Sequence, residues 1–248
     1  MLDFDFPLSP KARTYLKFEA IFKRCELNQE LQSVSDTLCL VRAIVDYIDL
    51  VDGSGSLKIE VIKDLEKNDA KLREWLTDPE ADTDFLNELR ERISKASREL
   101  DLFSRQRTKL QVDPIIECVK PRFLTPCGVN PFDTPLFEYW LHQDLEERQY
   151  CVKKWLHEMD CLRVPICTVL DLWRLCADHQ KRVAKMGFMQ EVADSCDLIN
   201  IRYEKSVRGY PVVSGFQSRV NIRFMPYEKG APVGDIDFEI AYIKGSQL

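Results

Sequence analysis

The chain has 248 residues, 45% hydrophobic and 31% charged, with a formal net charge of −6; these values sit near globular averages, exclude a fibrous or extensively disordered chain, and predict one or two domains with a substantial core. No run of about 18 uncharged apolar residues occurs, and the N-terminus, MLDFDFPLSPKAR, opens on acidic residues without an apolar segment, so neither membrane insertion nor export is expected and the chain reads as soluble and cytosolic. Net acidity argues against a general nucleic-acid binder, and nine cysteines, odd in number and mostly within helix-like apolar patterns, read as reduced, partly buried thiols.

In chain order, three helix starts are written as a capping residue followed by proline: Ser9-Pro10, Asp113-Pro114 and Thr134-Pro135. Between the first two, apolar residues recur at helical spacing as Leu38, Val41, Val45 and Ile48, then Val61, Leu65, Leu72 and Leu76, then Phe85, Leu89, Ala96, Leu100 and Phe103. Asp52-Gly53-Ser54-Gly55 follows the second helix, and Asp78-Pro79 with Asp82 and Thr83 precedes the fourth. Two further helices are expected over about 144 to 160 and 165 to 178, the latter opened by Pro165.

Near residue 185 the hydrophobic period drops from 3.6 to 2. Ile199, Ile201 and Tyr203 alternate with Asn200, Arg202 and Glu204; Val220, Ile222 and Phe224 with Arg219, Asn221 and Arg223; Ile236, Phe238, Ile240 and Tyr242 with Asp237, Glu239 and Ala241. Each run is a half-buried antiparallel strand, one face on a core and the other in water. The expected fold class is α+β, an all-helical domain over residues 1–180 followed by a mainly antiparallel β domain over 181–248.

Chemical motifs are sparse. The sequence holds no C-x-x-C, H-E-x-x-H, G-x-G-x-x-G or G-x-x-x-x-G-K, and His142, His157 and His179 form no close ligand pair, so no metal or cofactor is expected. Cys151 with His157 and Cys176 with His179 are the nearest thiol–base pairs, at spacings that suit ordinary helix positions. No catalytic residue is assigned, and the chain reads as a non-enzyme. Trp75, Trp140, Trp155 and Trp173 are interspersed with leucines, which favours core packing over base stacking.

A basic island stands out within this acidic chain. Residues 201–229 carry Arg202, Lys205, Arg208, Arg219, Arg223 and Lys229 against Glu204 and Glu228, and such a local excess attracts an acidic partner despite the overall sign. Alternation puts Arg219, Asn221 and Arg223 on one polar strand face, the arginines about 13 Å apart, where guanidinium forks suit carboxylates and peptide carbonyls. If Tyr227 to Gly234 forms a hairpin loop, Arg223 faces Asp237 and Asn221 faces Glu239 as ordinary cross-strand pairs, while Arg219 faces Ala241 without a partner. Structural pairing and partner binding therefore both remain open for these arginines, and a nucleic-acid-binding module or other adaptor using the same island is the alternative.

The same residues form a recognisable signature. Tyr210-Pro211 through Ser214-Gly215, Ser218-Arg219-Val220-Asn221-Ile222-Arg223-Phe224-Met225-Pro226 and Asp237-Phe238-Glu239 resemble the C-terminal part of the ZapD family of bacterial cell-division proteins. Phe6-Pro7-Leu8 through Ala12-Arg13-Thr14-Tyr15-Leu16-Lys17-Phe18-Glu19 resembles its opening, and Pro126-Cys127-Gly128, Phe132-Asp133-Thr134-Pro135 and Trp140-Leu141-His142 its middle, so the likeness covers the whole chain. The resemblance implies a helical domain joined to a β domain in a symmetric homodimer, acting in the cytoplasm at the mid-cell division site. It further implies a partner, the short C-terminal tail of FtsZ, the tubulin-like division GTPase whose filaments such proteins bundle; neither nucleic acid nor membrane is expected. In the family, the two arginines of the S-R-x-x-x-R strand, here Arg219 and Arg223, belong to the basic pocket for that tail, and Arg13 and Lys17 near the first helix are further candidates. Gly53 to Ser56 stand where relatives can carry arginine, and basic side chains are absent near Pro114 and Glu138, so only part of that pocket is carried over.

Overall fold

The computed structural model describes residues 1–104, 109–216, 219–231 and 233–245. Helices occupy most of the chain up to residue 175 and antiparallel strands follow, the α+β order that the change of period implies. By contact density the chain divides into two compact units, Lys17–Val169 and Met1–Leu16 with Leu170–Leu248, so the first residues join the strands and not the helices that follow them.

The helices are α1 (Pro10–Asn28), α2 (Val34–Gly53), α3 (Leu57–Trp75), α4 (Thr83–Leu102), α5 (Pro114–Val119), α6 (Pro135–Leu141) and α7 (Leu145–Leu175). Two of the three capping-residue-plus-proline starts are capped as expected: the Ala12 amide donates to Ser9 Oγ at 3.1 Å, and the Ile115 amide donates to Asp113 Oδ1 at 2.9 Å. Thr134 instead donates its hydroxyl to the Asn130 carbonyl at 2.8 Å and makes no cap bond. In α4 the buried stripe is Leu86, Leu89, Ile93, Ala96 and Leu100, while Phe85 stays exposed. The alternating steps of three and four residues favour Leu86 over its neighbour.

The two helices expected around residues 144–178 are one. Pro165 lies inside α7 and does not open a new helix. A proline there cannot bond the carbonyl four residues back and costs about 3 kcal/mol, but Leu162, Ile166, Val169, Leu170 and Trp173 are all fully buried around it. At about 1.5–3 kcal/mol for each large apolar side chain, that burial outweighs the break. In the helical unit the Trp155 indole packs against that of Trp140 at 5.4 Å and donates to Asp113 Oδ2 at 2.8 Å, in keeping with core packing. All nine cysteines are free; burial pushes the Cys25 thiol up to about 12 and that of Cys161 up to about 11, which suppresses their thiolates at neutral pH.

The strands are β1 (Leu2–Pro7), β2 (Gln180–Ala184), β3 (Phe188–Val192), β4 (Leu198–Tyr203), β5 (Gly209–Phe216), β6 (Arg219–Pro226) and β7 (Ile236–Ile243). They form a four-stranded sheet in the order β1-β4-β7-β2 and a three-stranded sheet in the order β3-β6-β5, every pairing antiparallel. A shared core joins the sheets: Val220, Ile222 and Phe224 of β6 cluster with Ile199, Ile201 and Tyr203 of β4 and Ile236, Phe238 and Ile240 of β7. The expected β6–β7 hairpin is therefore incorrect. Asp237 lies opposite Val183, and Glu239 opposite Lys181 and Arg202. Alternation specifies a strand's buried face, and here the buried faces of β6 and β7 meet across the core instead of lying side by side.

β1 escaped the sequence reading, although Leu2, Phe4 and Phe6 alternate with Asp3 and Asp5. It pairs with β4 and changes the environment of that strand. Asn200, expected on a wet face, is buried; its Nδ2 donates to Asp3 and to Asp5, the latter at 2.9 Å, and its Oδ1 accepts from His179 Nε2 at 2.8 Å. A buried amide with its hydrogen bonds satisfied is tolerated where an unpaired one would not be.

The turn from β2 to β3 sets the position of Phe188. Gly187 has φ of +73°, and a Cβ there would lie 2.5 Å from Val233 Cγ1 and 3.2 Å from the Phe224 carbonyl oxygen. Gly187→Ala is expected to lower unfolding free energy by roughly 1–3 kcal/mol, measured by urea denaturation. Beside the turn, the Lys185 ammonium and the Met186 amide hold the Asp235 carboxyl below its ordinary range. Because that pKa is lowered by folding, the anchorage is present at neutral pH and is lost as acidification protonates the carboxylate.

Candidate functional site

β6 is the central strand of the three-stranded sheet, and the alternation expected from its sequence is observed. Val220, Ile222 and Phe224 are buried, whereas Arg219 and Arg223 are exposed on the opposite face. Ser218, the first residue of the S-R-x-x-x-R pattern, lies outside the described residues. The neighbours of the arginines come from strands the sequence reading did not identify. Arg223 stands between Phe188 of β3 and Val212 of β5, and Arg219 between Val192 and Phe216. The Arg223 guanidinium sits over the Phe188 ring, 5.6 Å from its centroid, a cation–π contact that keeps the charge in water.

Arg219 also lines a cleft of about 590 Å³ whose wall includes Pro7, Leu8, Arg13, Ser214 and Gly215. The Arg13 guanidinium donates to the carbonyl of Pro7, another lining residue, at 3.5 Å. Gly215 lets the strand pass close to Leu8 in this lining, since a Cβ there would come within 3.3 Å of Leu8 Cδ2. Among the described residues the lining holds two arginines and no carboxylate, so the cleft favours anions and peptide carbonyls. Cys196 lines it too, but burial pushes its thiol up to about 11 and its Sγ donates to the Leu198 carbonyl at 3.0 Å; no histidine adjoins Ser195 or Ser214 in the lining. The described lining groups suit binding of an anion or a peptide carbonyl.

Ion pairing sorts the arginines of this unit. Arg174 pairs with Asp5, Arg182 with Glu191, Arg202 with Asp3 and Arg208 with Glu228. Arg13, Arg219 and Arg223 have no carboxylate partner among the described residues. The basic island of residues 201–229 thus divides: Arg202 and Arg208 are neutralised locally, one by an aspartate from the other end of the chain, while the β6 arginines are not. Lys17 is exposed on α1, belongs to the helical unit, and is absent from the cleft lining.

A family model described as "Cell division protein", ZapD, matches residues 16–223. The chain belongs to the ZapD family. Curated relatives named "Cell division protein ZapD" from Photorhabdus laumondii, Pectobacterium atrosepticum and Pectobacterium carotovorum are 30%, 31% and 31% identical over 240 residues, covering 96% of this chain and 96% of each relative. The family is one of cell-division proteins, and its matched span includes Lys17, Arg219 and Arg223 while beginning after Arg13. Among the described residues no helix is long and apolar enough to cross a membrane.

Two signals in the sequence pointed toward the parts of the site that were missed. Phe188-Met189-Gln190-Glu191-Val192 and Tyr210-Pro211-Val212-Val213-Ser214 are short runs rich in aromatic and β-branched residues, but neither alternates apolar with polar residues or has the length that marks a strand reliably.

Proposed function

We propose that this chain binds the C-terminal tail of FtsZ and, as a homodimer, cross-links and bundles FtsZ filaments to promote Z-ring assembly at mid-cell in the cytoplasm, without catalysis or a cofactor. One observation carries the reading. Of the seven arginines in the β unit, those without a carboxylate partner among the described residues are Arg13, Arg219 and Arg223, which are the arginines singled out by the family resemblance. Lys17, one helical turn beyond Arg13, is the fourth proposed contact.

The physical scheme is simple. Carboxylates of an acidic, flexible tail meet guanidinium groups that have no carboxylate partner among the described residues, so no ion pair seen there must break first. A single tail holds weakly, because ordering a disordered segment opposes the gain. Two sites on a dimer facing a filament that displays many tails raise the effective concentration of the second contact, and a two-site molecule bridges two filaments.

The test is co-sedimentation. The protein is expected to pellet with intact FtsZ filaments and to stay in the supernatant with filaments lacking the C-terminal tail. Equal pelleting with both would sink the proposal.

A further inference from the structure

We infer that Asp5 is a positioning residue for Arg13: its carboxylate, held by Arg174 and Asn200, fixes β1 so that the Pro7 carbonyl receives the Arg13 guanidinium in the cleft lining. The inference deepens the FtsZ-tail reading and rests on it.

β1 is an edge strand, paired with β4 alone, so its backbone is bonded along one side only. Pro7 brings no amide hydrogen to that ladder. The segment is held instead from both sides of Pro7. Beyond it, the Leu8 and Ser9 amides donate to the Asp197 carbonyl at 2.8 and 3.2 Å, and Ser9 Oγ caps α1 by accepting from the Ala12 amide at 3.1 Å. Before it, alternation puts Asp5 on the same strand face as Pro7, about 7 Å away.

Asp5 Oδ2 accepts from Arg174 Nε at 2.9 Å and from Arg174 Nη2 at 2.6 Å, and its Oδ1 accepts from Asn200 Nδ2 at 2.9 Å. The Asp5 and Arg174 side chains are 17% and 26% exposed, and the buried Asn200 is fixed in turn by His179. A carboxylate gripped on both oxygens and shielded from water has one orientation left to it. The Asp3–Arg202 pair is looser, 50% and 37% exposed at the end of β1 away from Pro7, where an ion pair constrains little. Arg13 depends on the firmer anchor. Among the described residues its guanidinium has no carboxylate partner, and its bond to the Pro7 carbonyl is long. A side chain tethered this lightly stays in place only as well as its acceptor does. A shift of Pro7 would free its rotamers, and binding would then have to remove that freedom.

A double-mutant cycle reads the link between the two residues. A labelled FtsZ C-terminal tail peptide is titrated by fluorescence anisotropy into the parent protein, Asp5→Ala, Arg13→Gln and the double variant, with thermal melts alongside. Asp5→Ala is expected to weaken binding roughly threefold to tenfold, and by less than about twofold once Arg13 is already glutamine. Combined with Arg223→Gln, its loss is expected to multiply in full. Arg174→Gln, which leaves β1 unaltered, is expected to repeat both results and replaces Asp5→Ala if that variant does not fold. Arg202→Gln is expected to bind as the parent does. Parent-like binding by Asp5→Ala and Arg174→Gln at a lowered melting temperature, or failure of both to fold, makes the contact structural and overturns the inference while the FtsZ reading stands. Equal losses in the parent and Arg13→Gln backgrounds overturn it too, because the effect then bypasses Arg13, as does parent-like binding by Arg13→Gln. Pelleting with tailless filaments removes the FtsZ reading and the inference with it.

Discussion

Arg219→Glu is expected to weaken FtsZ-tail binding by on the order of 100-fold while leaving the melting temperature near that of the parent. The side chain is exposed, has no carboxylate partner among the described residues and lines the cleft with Arg13, so folding makes little use of its charge. Replacing a cation that meets a carboxylate with a second anion removes an attraction and adds a repulsion, and charge changes of this kind at an interface cost about 2–5 kcal/mol. Arg13→Glu is expected to act in the same direction, with loss of the bond to the Pro7 carbonyl as an added effect. Arg202→Glu is the informative control. Arg202 Nε lies 2.8 Å from Asp3 Oδ2, so its reversal places two carboxylates together and lowers stability by roughly 1 kcal/mol without affecting the tail. Anisotropy titrations beside thermal melts separate the two behaviours; a collapse of folding in Arg219→Glu would make that residue structural.

Phe224→Ala, one residue beyond Arg223, is expected to have the opposite profile. Its side chain is buried, edge-on to Tyr203 at 5.3 Å and to Phe238 at 5.4 Å, and it joins the two sheets through one cluster. Truncating such a ring costs about 3–5 kcal/mol from lost burial and the cavity left behind, a large part of a typical total of about 5–15 kcal/mol. Arg223→Ala gives up an exposed cation–π contact of roughly 0.5–1 kcal/mol and is expected to fold almost as the parent does. Urea denaturation reads the contrast directly. A Phe224→Ala midpoint equal to that of the parent would contradict the face-to-face packing of the sheets.

The parts of the fold that were legible share a physical basis. Helix starts at Ser9 and Asp113 follow from a side-chain oxygen and a proline within a few residues of each other. The exposed placement of Arg219 and Arg223 follows from a two-residue period within one strand. Pro165 shows where this kind of reading fails, because a local breaker was overridden by burial of Leu162, Ile166 and Trp173 around it. Asn200 fails for a related reason: its environment comes from Asp3 and Asp5, nearly two hundred residues away in sequence.

For the site itself, the amino-acid sequence determined which side chains β6 turns outward and that two of them are arginines, because alternation is a property of a single strand. Only the tertiary structure decided what stands next to them. Backbone pairing is indifferent to distance along the chain, so the register that sets Phe188 and Val212 beside Arg223, and the fold that brings Arg13 into the cleft with Arg219, are chosen by how two apolar sheet faces close on one core. Among the described residues, the same closure left these arginines without carboxylates while Asp3, Asp5, Glu191 and Glu228 went to other partners.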